Sequence, residues 1–190
     1  GVFQVVAEGG QEGGYLLTTD PAVDMVGFTG STDVGRKVMA QAAPTLKRLQ
    51  LELGGKSAQI FMPDRVGMAA AVTAGSCTAH AGQGCSIGTR IFVPEAAKPE
   101  VLAAVAEMLS GVVLGSAHDP ASTMGPLINA RQREKVAGYV DRAVADGAQV
   151  VLGGKIPPQF DKGFYYEPTI VVGADENSAI AQEELFGPVL

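Results

Sequence analysis

The feature that most constrains the fold of this chain is the alternation of short β-type runs with helix-type segments, joined by glycine turns. "VDMVGF" (23–28) is rich in β-forming residues, "TGSTDVG" (29–35) supplies a turn, and "RKVMAQAAP" (36–44) favours a helix until Pro44. "LKRLQLEL" (46–53) then alternates apolar and polar residues, as a half-buried strand does. This order predicts an α/β fold with a largely parallel sheet.

The rest of the chain continues the alternation. Strands are predicted at "SAQIFM" (57–62), "TRIFV" (89–93) and "AQVVLGG" (148–154). Helices are predicted at "RVGMAAAVTAGSCTAH" (65–80), "PEVLAAVAEMLSGV" (99–112) and "ARQREKVAGYVDRAVADG" (130–147). The last helix is amphipathic and closes at Gly147. A chain of 190 residues that is 46% hydrophobic can bury the core of one or two domains.

Charge and composition exclude several classes of partner. The net charge of −6 and the pI of about 4.9 leave no broad positive field to hold nucleic acid or an anionic membrane. Apolar runs such as "AQIFM" are too short to span a bilayer, and the amino end lacks a signal pattern. Two cysteines eight residues apart are too few for a disulfide scaffold, so we expect reduced thiols and a cytoplasmic protein.

The chain begins without methionine and ends inside an apolar run, so we expect a piece of a longer protein.

Two segments in the first third of the chain could carry chemistry. In "FTGSTDVG" (28–35), Gly30 allows a tight turn and Ser31 or Thr32 begins a helix, whose free N–H groups can receive a phosphate or simply be capped. The segment is neither a P-loop nor the three-glycine dinucleotide fingerprint.

In "LELGGK" (51–56), Glu52 ends a β-type run before two glycines. Its carboxylate either points into solvent or faces a cleft, where desolvation would suit it to take a proton from water.

The segment "HAGQGCSIGTRIFV" (80–93) places Cys85 at a bend, where it is either a reactive thiol or a small packed side chain. "GCSIG" also matches the nucleophile elbow of α/β-hydrolases, with Ser86 as the nucleophile. That elbow requires a strand before the serine and a helix after it, and the pattern here predicts the reverse. The only downstream histidine is His118, and no acid between Ser86 and His118 stands out. A zinc site from Cys77, His80 and Cys85 lacks a fourth ligand, so we predict no metal.

A fourth segment, "EELFGPV" (183–189), would alone indicate only a helix end and a turn. Together, "FTGST", "LELGGK", "GQGC" and "EELFGPV" resemble the aldehyde dehydrogenase superfamily in order and in approximate spacing. "MGPLIN" and "GFYYEPTIV" between them are also similar to family segments, so the resemblance covers essentially all of the chain. It implies the end of a Rossmann-like cofactor domain over residues 1–53, followed by an incomplete α/β catalytic domain over residues 54–190.

The resemblance also implies roles for single residues. Cys85 matches the nucleophile that forms a thiohemiacetal and then a thioester, and Glu52 matches the base that activates water. Relatives that pass the acyl group to coenzyme A generally lack this glutamate, so hydrolysis to a carboxylic acid is favoured. Cys77 matches nothing catalytic and is expected in the core. The positions that match contacts to the cofactor, NAD or NADP, are Gly30, Ser31, Leu53, Glu184 and Phe186.

Finally, the resemblance implies that the longer protein is a homodimer or homotetramer acting on a small-molecule aldehyde. The family's oxyanion-hole asparagine would precede residue 1, so we expect the isolated 190-residue chain to be inactive. A serine hydrolase using Ser86 and a non-catalytic aldehyde dehydrogenase-like module remain as alternatives.

Overall fold

The computed structural model describes residues 1–190, which form two compact units, Gly1–Gly54 and Gly55–Leu190. The α-helices are α1 (Glu12–Thr19), α2 (Thr32–Ala42), α3 (Ala69–Thr78), α4 (Lys98–Ser110), α5 (Ala130–Ala145) and α6 (Ala179–Gln182). The strands are β1 (Met25–Gly30), β2 (Arg48–Leu53), β3 (Ser57–Ile60), β4 (Gly88–Phe92), β5 (Gln149–Leu152) and β6 (Ile170–Val172). Short 3₁₀ helices lie at Ala43–Thr45, Pro63–Met68, Ala79–Gly82 and Glu95–Ala97. None of the helices is both long and apolar enough to cross a bilayer.

The first unit is built on the parallel pair β1 and β2, with α2 as the crossover between them. The predicted alternation along β2 is confirmed, because its three leucines are half-buried while Gln50 and Glu52 are exposed. Helix α2 packs closely on β2 through Gly35. A Cβ atom at this position would lie 2.6 Å from the side chain of Leu53, so a larger residue here would require that side chain to shift.

The second unit has two hydrophobic clusters. In one, the helices α3 and α4 pack together beside the parallel pair β3 and β4, and Cys77 lies fully buried in the centre. In the other, α5 packs on the last segment of the chain, with Val136, Val140 and Val189 almost completely buried. This second cluster fixes the segment "EELFGPV" against α5.

The α/β class is confirmed, but the sheets are less uniformly parallel than the pattern predicts. Strand β6 was not expected from periodicity, and it pairs with β5 in antiparallel orientation. The connection between them, residues 153–169, contains no helix. A parallel pairing needs a crossover, which is usually helical, whereas a chain that returns directly pairs antiparallel. Gly153 and Gly154, both with positive φ, begin this return.

Candidate active site

Cys85 lies on an exposed tight turn between α3 and β4. Helix α3 ends at Thr78, and the next residues adopt left-handed backbone conformations, with φ of 50° at His80, 54° at Ala81 and 71° at Gly82. The N–H of Ile87 then donates to the carbonyl of Gly84 at 3.3 Å, which places Cys85 and Ser86 at the centre of the turn. Because Cys85 is exposed, its thiol is available to a reagent or substrate.

The turn is held against the "EELFGPV" segment through its backbone. A Cβ atom at Gly82 would overlap the carbonyl of Gly187 and the nitrogen of Pro188. Only glycine therefore allows the chain before Cys85 to lie directly on the chain after Phe186. The structure thus brings the predicted nucleophile segment and the predicted segment of Glu184 and Phe186 together within one unit.

The turn that carries Glu184 and Phe186 is clamped by one face of α5. The amide nitrogen of Gln132 donates to the carbonyls of Leu185 at 2.7 Å and of Phe186 at 2.8 Å. Lys135 Nζ donates to the carbonyl of Glu184 at 2.9 Å. These bonds fix the backbone of Phe186, whose φ is 60°. The clamp therefore holds the backbone of the turn against α5.

The same face of α5 also contacts the acid that precedes Glu184. The hydroxyl of Tyr139 donates to the carboxylate of Glu183. Gln132, Lys135 and Tyr139 were not predicted as part of the site. Their spacing of three and four residues along an amphipathic helix was the available signal, because it places them on one face.

The electrostatic surroundings of Glu184 are unusual. Its Oε1 atom is buried and has no hydrogen-bond partner, which leaves an acceptor unsatisfied. Nearby, the pKa of Lys56 is lowered to about 8, chiefly by burial and then by the positive charge of Arg90, while the negative charge of Glu184 opposes both effects. At pH 7 the Lys56 ammonium remains the major form, so Glu184 lies in the field of a cation.

In the first unit, the structure places Gly30 and Ser31 at the start of α2. Ser31 caps the helix, its Oγ accepting from the N–H of Val34 at 3.4 Å. A Cβ atom at Gly30 would lie 2.5 Å from the ring of Phe28. Leu53 pairs with Gly30 across β1 and β2. Glu52 precedes it on the exposed face of β2, where its carboxylate is accessible to water.

Ser86 does not occupy a nucleophile elbow. Helix α3 precedes it and strand β4 follows it, which is the reverse of the order that the elbow requires. Its hydroxyl makes no hydrogen bond to His80, His118 or any acid.

No three side chains among the histidines, cysteines, aspartates and glutamates cluster so as to hold a metal ion.

The two thiols should differ strongly in reactivity. Cys77 is 1% exposed, and burial raises its pKa to about 12, so near neutral pH its thiol is both inaccessible and protonated. We expect limiting iodoacetamide to label Cys85 at least a hundredfold faster, as measured by peptide mass mapping of the folded chain. Faster labelling of Cys77 would remove Cys85 as the candidate nucleophile.

Comparison with known proteins gives consistent matches over the whole chain. A family model described as "Aldehyde dehydrogenase family" matches residues 1–190. A Staphylococcus epidermidis protein named "Putative aldehyde dehydrogenase" is 40% identical over 192 residues, covering 100% of this chain and 40% of its own length. The chain therefore spans about two fifths of the length of the curated relatives it matches.

Two solved structures are similar in both sequence and fold. The crystal structure of a Mycobacterium tuberculosis aldehyde dehydrogenase complexed with NAD⁺ is 44% identical, with a TM-score of 0.91 over 96% of this chain and 38% of that one. The crystal structure of a Staphylococcus aureus betaine aldehyde dehydrogenase in complex with NAD⁺ is 36% identical, with a TM-score of 0.90 over 93% of this chain and 36% of that one.

Proposed function

The chain belongs to the aldehyde dehydrogenase family, and on that premise we propose that it carries the nucleophile and base for NAD(P)-dependent oxidation of an aldehyde to a carboxylic acid. The observation that carries this proposal is the contact between Gly82 and Gly187. Through it, the turn of the exposed Cys85 thiol lies against the turn of Glu184 and Phe186. A covalent adduct on the thiol must be close to the group that accepts its hydride, and this contact favours that arrangement.

The residues present fit a nicotinamide cofactor. The buried, unsatisfied Oε1 of Glu184 is an acceptor for a ribose hydroxyl, and the half-buried ring of Phe186 is suited to pack beside a nicotinamide. Gly30 and Ser31 at the start of α2 would hold the pyrophosphate, with Leu53 beside them, because a helix N-terminus favours negative charge. When bound, NAD or NADP would supply the hydride acceptor.

In the proposed reaction, the Cys85 thiolate attacks the aldehyde carbon and forms a C–S bond, and the carbonyl oxygen becomes a thiohemiacetal oxyanion. Loss of hydride from that carbon restores the C=O bond and leaves a thioester on Cys85. Glu52 then takes a proton from water, whose oxygen attacks the thioester carbon. Cleavage of the C–S bond releases the carboxylic acid and regenerates the thiolate. The exposed position of Glu52 on β2 supports its access to water.

A change at Glu184 tests the cofactor assignment. Glu184→Gln keeps one carbonyl-type acceptor but removes the charge, so a hydrogen bond to a ribose hydroxyl becomes weaker. We expect the KM for NAD to rise about tenfold, since hydrogen bonds to charged groups contribute about 1.5–3 kcal/mol. Steady-state kinetics of the natural full-length polypeptide would measure this. Glu183→Gln is the matched control, because it retains an acceptor for the Tyr139 hydroxyl. Equal effects of the two changes would contradict a specific role for Glu184.

The direct test of the function is an assay of reduced nicotinamide in the natural full-length polypeptide, with NAD and with NADP. The aldehyde panel should include betaine aldehyde, because one similar structure carries that name. Aldehyde-dependent reduction that Cys85→Ser abolishes would support the proposal. Ester hydrolysis lost in Ser86→Ala would favour the serine hydrolase instead. Nicotinamide binding without turnover under every condition would favour a non-catalytic module.

We further propose that residues 1–53 belong to the cofactor domain and residues 54–190 to the catalytic domain. The division of the chain into Gly1–Gly54 and Gly55–Leu190 supports a boundary near these positions.

We also propose that the protein works in the cytoplasm as a homodimer or homotetramer. A reducing compartment suits this chemistry, because an exposed Cys85 must remain a free thiol.

A further inference from the structure

The amide side chain of Gln83 bridges the Cys85 turn to a distant part of the chain. Its Nε2 donates to the carbonyl of His80 at 3.0 Å, and its Oε1 accepts from the backbone N–H of Ile128 at 2.9 Å. The backbone N–H of Gln83 also donates to the carbonyl of His80, at 3.1 Å. One residue thus closes the bend before Cys85 and ties it to a segment 45 residues away.

The bend that Gln83 closes is strained. His80 and Ala81 have φ of 50° and 54°, values that residues other than glycine rarely adopt. Two such residues in succession persist only when the surrounding structure holds them in place. On one side the backbone contact of Gly82 with Gly187 holds the bend, and on the other side the amide of Gln83 does so.

The far end of the bridge, Ile128, is held through both of its neighbours in sequence, of which Asn129 caps α5. The N–H of Leu127 donates to the carbonyl of Phe164 at 3.0 Å, and Asn129 caps α5 by accepting from the N–H of Gln132 at 2.9 Å. Gln132 is the residue whose amide holds the carbonyls of Leu185 and Phe186. Through Ile128, Gln83 therefore ties the thiol turn to the same helix that clamps the Glu184 turn.

We infer that Gln83 is a positioning residue for Cys85, which sets the placement of the thiol relative to the turn of Glu184 and Phe186. This inference rests on the proposed function for its kinetic consequence. Its structural part does not, because the bridge is present in the described chain whatever reaction the chain carries out.

The structural part can be tested in the 190-residue chain by residue-resolved hydrogen exchange. Gln83→Met keeps the length of the side chain and removes both hydrogen bonds, so the Ile128 amide should lose about tenfold in protection. Gln83→Glu keeps the acceptor and should retain most of that protection. Gln149→Met is the matched control, since Gln149 is exposed on β5 and its side chain makes no hydrogen bond. Unchanged protection of Ile128 in Gln83→Met would overturn the inference.

The kinetic part uses the natural full-length polypeptide. A displaced nucleophile should lower the rate of the first hydride transfer by about ten- to a hundredfold, while the KM for NAD stays within about twofold. Gln83→Glu should recover part of that rate. An unchanged first-turnover rate in a Gln83→Met protein whose Ile128 amide has lost protection would overturn the positioning role. Global unfolding of Gln83→Met, with Gln149→Met folded, would also overturn it, because Gln83 would then be a general stability residue.

If the unsubstituted protein oxidises no aldehyde at all, the proposed function fails, and the exchange result alone decides whether Gln83 holds the turn. If the protein is active but Ile128 keeps its protection in Gln83→Met, the inference fails and the proposed function stands. The two failures are therefore distinguishable.

Discussion

Replacing Cys85 with alanine is expected to lower kcat for aldehyde oxidation by on the order of 10⁶-fold, the loss seen when a covalent nucleophile is removed from an enzyme. The reason is that, in the proposed reaction, the thiol forms the bond from which every later step proceeds. The other thiol, Cys77 on α3, is buried in the hydrophobic core of the second unit. Single-turnover measurement of reduced nicotinamide with excess enzyme would separate the loss of chemistry from slow product release.

Cys77→Ala provides the control for this change. It removes a buried sulfur and should lower the free energy of unfolding, yet the activity of each folded molecule should remain within about twofold. Ser86→Ala, next to the nucleophile, should also leave the first turnover largely intact. Aldehyde oxidation that survives in Cys85→Ala but not in Ser86→Ala would contradict the thiol mechanism and transfer the role of nucleophile to the serine.

The parts of the fold that follow from local periodicity could be predicted from the sequence. The two-residue alternation of Leu49, Leu51 and Leu53 correctly gives β2 and its half-buried face, because a strand points successive side chains to opposite sides. The amphipathic pattern over residues 130–147 likewise identifies α5, which ends at Ala145, and Gly147 with φ of 100° follows directly after its C-cap. In both elements the spacing of apolar residues in the sequence follows directly from the residue period of the strand or helix, so the spacing alone predicts the element.

The bend before Cys85 could not be predicted in this way. Positive φ is uncommon for any residue but glycine, and although histidine adopts it more often than most, alanine does not, so the local sequence does not predict two such residues in succession at His80 and Ala81. Their conformation is a consequence of tertiary contacts, namely the packing of Gly82 on Gly187 and the amide bridge from Gln83 to Ile128. The helix predicted from periodicity over residues 65–80 therefore extends two residues beyond Thr78, where α3 ends.

The contacts between α5 and the Glu184 turn show a second limit of prediction from sequence. The spacing of Gln132, Lys135 and Tyr139 indicates that they share a helix face, but a shared face does not identify its partner. That partner lies about 50 residues further along the chain, at the carbonyls of Glu184, Leu185 and Phe186. The family resemblance located Glu184 and Phe186, while only the structure reveals what holds them.

Replacing Glu52 with glutamine is expected to separate the two halves of the proposed reaction. The amide is nearly isosteric with the carboxylate but cannot take a proton from water, so the steady-state kcat should fall by about 10²- to 10⁴-fold. The first hydride transfer does not require this base. Rapid mixing should therefore show a burst of reduced nicotinamide close to one equivalent per active site, followed by a slow phase. Mass spectrometry of the quenched protein should find an acyl group on Cys85.

The identity of the stalled species decides what Glu52 does. A burst with the acyl group on Cys85 places the loss after thioester formation and supports hydrolysis as the step that Glu52 promotes. Glu12→Gln, at an exposed glutamate in the first turn of α1, is the matched control and should change neither phase. Loss of the burst with no adduct would instead assign Glu52 to activation of the thiol or to binding. Rescue of turnover by added coenzyme A or a small thiol, with release of the acyl group to it, would confirm that the trapped species is a thioester, because thiol exchange requires no base to activate water.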